Sequence, residues 1–212
     1  MKIAIVGANG RMGKLLVKEA LDRGHSVLAV VRGGAASVDR RARVLEKDLF
    51  RLTYRDVKGW EVVIDAFGKW EEDRLREHVT SLRHLANILA GRPERLLVVG
   101  SAGSLYVDAA HRTRLLDSPL MPPEYVPLST AMTAAFDELR KRKDVRWTYM
   151  SPPGLFNAEG ARTGRYRAGL DELLVNEKGE SAISYADAAI ALVDEAERRE
   201  HVRMRFTIAD AE

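Results

Sequence analysis

The apolar run Lys2-Ile-Ala-Ile-Val6 leads directly into Gly7-Ala-Asn-Gly10-Arg-Met-Gly13, and these glycines open an amphipathic segment from Arg11 to Arg23. A buried strand, a glycine turn and a helix in that order predict the opening of a β-α-β unit. Leu16, Val17, Ala20 and Leu21 form one apolar face of the helix, and Gly24 stands where a C-terminal cap is expected. A second strand, Ser26 to Val31, completes the unit.

Glycines at such a turn have separate uses: one makes the turn, one lets backbone approach a ligand, and one lets the helix pack against the strand. The helix that starts inside the loop aims unpaired N–H groups, and the positive end of its dipole, at whatever sits there. Gly7, Asn9, Gly10, Arg11, Met12 and Gly13 are therefore expected to hold a dinucleotide pyrophosphate. The spacing is G-x-x-G-x-x-G rather than G-x-G-x-x-G, so the flanking strand and helix carry the inference.

Beyond this unit the alternation continues. Strands are expected at Arg43 to Glu46, Glu61 to Ala66, Arg95 to Gly100 and Arg146 to Ser151, with helices from about Glu71 to Ala90 and Ser129 to Arg142. Residues 101–126 read as loop. A strand is expected at Glu172 to Val175, then a helix capped by Ser184 with Asp187, then a closing strand carrying Met204, Phe206 and Ile208. The pattern predicts an α/β fold of three layers, a doubly wound and mainly parallel sheet between helices, with ligands at the carboxyl ends of the strands. At 212 residues with no linker-like stretch, the chain is expected to form one domain, residues 152–212 supplying a small substrate-side part.

Composition narrows the function. There is no cysteine, which excludes disulfides and thiolate metal sites. The 34 basic and 31 acidic residues are interleaved, so no nucleic-acid partner is expected. His25, His78, His84, His111 and His201 lack ligand spacing; they read as surface or cap residues, and no metal is expected. Met1 running into the first strand and the lack of a membrane-length apolar run predict a cytoplasmic protein with no cleaved leader. Monomer and dimer remain open.

The strand ends indicate which dinucleotide. Where an NAD site places an acid, about twenty residues past the glycines, this chain has Arg32. A guanidinium suits the extra 2′-phosphate of NADP, which favours NADP(H) over NAD(H). Arg11 is within reach of the same phosphate. Asp48 and Leu49 follow the third strand, where the carboxylate either accepts from the adenine amino group or caps a turn. Ala66, Phe67 and Gly68 end the fourth strand, small residues there letting a cofactor lie on the backbone, with Phe67 either covering a ribose or belonging to the core.

Together with Leu97-Val-Val-Gly-Ser-Ala-Gly-Ser-Leu-Tyr106, Trp147-Thr-Tyr-Met-Ser-Pro-Pro-Gly154, Arg162-Thr-Gly-Arg-Tyr166 and Ile183-Ser-Tyr-Ala-Asp187, these features give a chain that resembles the atypical short-chain dehydrogenase/reductase proteins, NmrA-like in the broad sense. It looks most similar to the NAD(P)H-dependent flavin reductases related to biliverdin reductase B. The resemblance covers nearly the whole chain and implies an NAD(P)-binding Rossmann fold. Members of the main dehydrogenase line use Tyr-x-x-x-Lys to protonate a carbonyl oxygen; here Tyr125 fits the tyrosine, but Ser129 stands in place of the lysine.

Reducing a ketone without that pair would leave a strongly basic alkoxide, whereas a flavin spreads the added charge over its rings. The expected reaction is therefore hydride transfer from NADPH to a planar acceptor, a flavin (FMN or riboflavin) or a quinone, with flavin as a passing substrate. In this reading the nicotinamide lies near Pro152, Pro153, Gly154 and Leu155, the acceptor beside Ser101, and Ser101 and Tyr125 are the candidate catalytic residues. Ser101 either hydrogen-bonds a ring or is a turn serine. The stretch from Arg162 to Arg167 either folds over the acceptor, offering Tyr166 for stacking and arginines for a flavin phosphate, or is a basic surface loop. Two other functions compete: an NADP-binding sensor without turnover, and a sugar-nucleotide epimerase or dehydratase, which the missing lysine disfavours.

Overall fold

The computed structural model describes residues 1–211. Its main sheet has eight strands: β1 (Lys2–Val6), β2 (Ser26–Val31), β3 (Arg43–Glu46), β4 (Val62–Asp65), β5 (Arg95–Val99), β6 (Arg146–Ser151), β8 (Tyr166–Gly169) and β10 (Met204–Asp210). They lie in the order β3-β2-β1-β4-β5-β6-β10-β8. Every neighbouring pair is parallel except β10 with β8. The chain winds outward from β1 to β3 and then returns to β4 on the other side of β1, so strand direction of travel reverses between β1 and β4. That reversal opens a crevice at the carboxyl edge of the sheet.

Side chains alternate across the strands and build two cores. Ile3, Ile5, Val27, Ala29, Val62 and Ile64 face helices α1 (Arg11–Asp22) and α5 (Tyr185–Arg198). Ala4, Val6, Leu28, Val30, Val63 and Val98 face α3 (Glu77–Ile88) and α4 (Val126–Leu139), with the short α2 (Tyr54–Val57) packed on the same side. Strands covered on both faces are apolar nearly throughout, as parallel sheets require. The expected three-layer, doubly wound fold is what forms.

Helix ends follow local chemistry. Gly24 lies just past α1 with φ of +79°; its N–H bonds Leu21 O and that of His25 bonds Ala20 O, which closes the helix. Ser184 caps α5 by accepting from Asp187 N at 3.0 Å. Helix α4 starts at Val126, earlier than its apolar pattern suggests, because a turn at Pro123–Tyr125 feeds into it.

Two expectations fail, and one element lies outside them. The strand expected at Glu172 to Val175 does not form: Leu173 N bonds Tyr106 O and Tyr106 N bonds Asp171 O, so the segment pairs with a loop, and the strand that joins β10 is β8. A second sheet of β7 (Leu155–Asn157) and β9 (Ala182–Ser184) was not anticipated. His78, read as a surface or cap residue, is buried on α3, where its Nε2 lies 2.9 Å from Lys69 O. Burial lowers its pKa and favours the neutral ring, which donates to that carbonyl.

Candidate functional site

The glycine loop joins β1 to α1 at the crevice. Gly7 has φ of +78°, and a Cβ there would stand 2.8 Å from Ala66 O, so a side chain is excluded by both conformation and space. A Cβ on Gly13 would fall 2.1 Å from Gly7 O. That contact lets the first turn of α1 sit against the end of β1. Gly10 is the N-cap, provides no side-chain cap, and no acid lies in the first turn. The opening N–H groups of α1 thus face the crevice without a protein partner of their own, which suits a pyrophosphate.

Neighbouring residues complete this half of the site. Asn9 Nδ2 donates to Gly33 O at 2.7 Å, tying the glycine loop to the end of β2 and setting it beside the exposed Arg32. Asp48 caps the turn Leu49–Arg51, its Oδ1 accepting from Phe50 N at 2.9 Å, so the turn role holds for one carboxylate oxygen. Ala66 N bonds Val6 O, keeping Ala66, Phe67 and Gly68 alongside the glycine loop.

At the other end, Pro152 and Pro153 are buried while Gly154 and Leu155 are exposed. Gly154 N donates to Ser181 Oγ and Leu155 N to Ser181 O, so Ser181, just before β9, fixes the segment after β6. Tyr185 connects the two halves. Its ring packs on Phe156 at 4.0 Å between centroids, and the Arg11 guanidinium lies 5.9 Å above it. Sequence reasoning gave Tyr185 no role.

Ser101 follows β5. Its N–H donates to Tyr149 Oη at 3.3 Å, and its own Oγ is enclosed without a hydrogen-bond partner. A buried hydroxyl with no hydrogen-bond partner is uncommon in native proteins, and this one lies beside the Tyr149 hydroxyl. Tyr125 sits at the start of α4, 44 % exposed, its ring edge-to-face with Trp70 at 6.4 Å. One turn on, Ser129 is buried against the turn after Ser101: a Cβ on Gly103 would stand 2.9 Å from Ser129 Cβ. Ser129 therefore stands buried where Tyr-x-x-x-Lys would have its lysine.

The stretch from Arg162 to Arg167 is committed elsewhere. Arg162 pairs with Glu19 at 3.0 Å, Tyr166 Oη donates to Asp194 at 2.7 Å, and Arg167 Nε donates to Asp210 O. Thr163 and Gly164 donate their N–H groups to the buried Asp187. These contacts bind the segment to α1, α5 and β10 and engage Tyr166, Arg162 and Arg167, against the stacking and phosphate roles considered for them, whereas the side chain of Arg165 is exposed.

Sequence reasoning also missed Asp65. This carboxyl is buried at the end of β4 and faces a cavity of about 20 Å³ lined also by Phe67, His78, Met132 and Tyr149. Burial pushes its pKa up to about 7, against the opposing effect of the bond from Phe67 N. An acid inside an otherwise apolar strand was visible in Val62-Val-Ile-Asp65, but its depth depends on α3 and α4.

A helix N-terminus cradled by glycines at the switch point of a parallel sheet defines a protein of the dinucleotide-binding class. Residues 7–198 match the NAD(P)H-binding family, and the chain belongs to that family. It is 44% identical to the uncharacterized protein YwnB of Bacillus subtilis over 209 residues, 98% of each chain. A Streptococcus pneumoniae structure provisionally assigned as an NADH-flavin reductase superposes with a TM-score of 0.95 at 43% identity, over 99% of each chain. A Bacteroides thetaiotaomicron structure provisionally assigned as an epimerase gives 0.87 at 34% identity, over 100% of this chain and 97% of that one. Among the described residues no helix is long and apolar enough to cross a membrane, and no cluster of metal-ligating side chains occurs.

Proposed function

We propose that this protein is an NADPH-dependent reductase of a planar acceptor, a flavin or a quinone. Gly7, Asn9, Gly10, Arg11, Met12 and Gly13 hold the pyrophosphate, Arg32 the 2′-phosphate, and Asp48 with Leu49 the adenine. Ala66, Phe67 and Gly68 support the ribose side; Ser101 with Pro152, Pro153, Gly154 and Leu155 flank the nicotinamide. Bound NADPH supplies the hydride.

The observation that carries this reading is that Ser129, buried on α4 beside Gly103, holds the position of the lysine. It removes the lysine that lowers a tyrosine's pKa, leaving Ser101 Oγ as a hydrogen-bond donor to a ring heteroatom rather than a strong acid. Such a site serves an acceptor that carries its own charge, and its task is to align two flat rings and exclude water. Tyr125 lines the acceptor side. The same missing lysine weighs against epimerase chemistry, although one relative bears that provisional assignment.

The test is NADPH oxidation with excess FMN, riboflavin or a naphthoquinone, corrected for the enzyme-free rate. Saturable turnover that falls at least about tenfold in Ser101→Ala is expected. Tight NADPH binding with no turnover on any of these acceptors overturns the reading in favour of a sensor.

A further inference from the structure

The three most exposed aromatic side chains are Phe50, Trp70 and Tyr125, at 42%, 58% and 44%. Phe50 lies beside Asp48, at the end of the crevice read as the adenine side. Trp70 and Tyr125 come from segments far apart in the sequence, yet their rings meet edge-to-face, 72° between planes. Trp70 is carried by the segment that continues from Ala66, Phe67 and Gly68; Tyr125 leads α4, whose Ser129 packs on the turn following Ser101.

We propose that Trp70 and Tyr125 form the stacking platform that binds the acceptor as a flat, conjugated ring system. This rests on the reductase reading and deepens it by naming what recognises the second substrate. An edge-to-face pair makes a corner: a third flat ring placed in it stacks on one aromatic face and meets the other ring at its edge. The corner is held ready. His78 fixes the backbone just before Trp70 through Lys69 O, Trp70 N donates to Glu71 Oε2 at 3.1 Å, and Tyr125 N donates to Pro122 O at 3.0 Å. Arg162 and Arg167 pair with Glu19 and Asp210, so the ring is taken as the main recognised element, and riboflavin is expected to bind nearly as well as FMN.

The test is titration of riboflavin, which has the ring and no phosphate, into protein saturated with NADP⁺, followed through riboflavin's own emission, which stacking quenches. Trp70→Leu and Tyr125→Leu are each expected to weaken binding about tenfold with NADP⁺ affinity unchanged, and Trp70→Phe to retain most of it. Unchanged riboflavin affinity in the folded double variant overturns the proposal. So does a loss of self-association in Trp70→Leu with riboflavin binding intact, which would make the corner a contact between copies. Because binding is read directly, absence of NADPH turnover would defeat the reductase reading while leaving the platform to be decided by the titration.

Discussion

The ring of Tyr149 lies across Gly100 so closely that a Cβ on Gly100 would stand 2.1 Å from ring Cε1. Only this approach lets the Tyr149 hydroxyl reach past β5, accepting from Ser101 N at 3.3 Å and donating to Met132 O at 3.4 Å. The placement of Ser101 thus depends on a missing side chain one residue before it. Gly100→Ala is expected to cost about 1–3 kcal/mol by overpacking, read as a lower urea midpoint. Tyr149→Phe keeps the ring and is expected to cost about 1 kcal/mol. A Gly100→Ala protein as stable as wild type would show that the ring is free to move.

Within the glycine loop, Gly13 and Gly10 are predicted to behave differently. Gly13→Ala drives a methyl into Gly7 O and is expected to abolish NADPH binding and to destabilise the fold by about 2 kcal/mol. At Gly10 the same Cβ would stand 3.2 Å from Gly7 O, so Gly10→Ala should remain within about 1 kcal/mol of wild type. Thermal melts and calorimetric titration with NADPH check both, and similar melts for the two variants would count against the packing argument.

Arg32 is the residue we propose to discriminate between the two dinucleotides. Arg32→Ala is expected to raise the Kd for NADPH by about 10–100-fold, the worth of a charge-assisted phosphate contact, and to leave that for NADH nearly unchanged. Equal weakening of both ligands would remove Arg32 from the 2′-phosphate site.

Asp65 makes stability depend on pH. Burial raises its folded-state pKa to about 7, above the unfolded carboxyl's value near ~4. Its contribution is fully present below the unfolded value and is lost as pH rises through about 7. Asp65→Asn preserves an acceptor for Phe67 N and carries no charge, so it should flatten that decline and be more stable than wild type at pH 8, by about 2–4 kcal/mol. Urea titrations across this range check it; parallel curves for the two proteins would mean that Asp65 is solvated.

Local patterns were the readable part of the fold. β1, β2 and β5 are nearly continuous apolar runs, and the caps at Gly24 and Ser184 are set by near neighbours. What escaped was held by distant partners. β8 is a strand because β10 offers it an edge, and β7 exists only through β9, so three- and four-residue stretches with no periodicity of their own became strands. The candidate site divides in the same way. The glycine loop, Arg32 and the missing lysine could be read directly, whereas Asp65, Tyr149, Trp70 and Tyr185 matter through what the fold brings beside them.

The sequence by itself determined the doubly wound sheet and the dinucleotide cradle, because both follow from short-range patterns: apolar runs, helical periodicity and glycines where side chains cannot fit. The tertiary structure decided what surrounds the cradle. It enclosed Ser101 Oγ without a partner, packed Ser129 against Gly103, and joined Trp70 to Tyr125. Those relationships are distances between segments remote in the chain, fixed only when two helical layers close on the sheet.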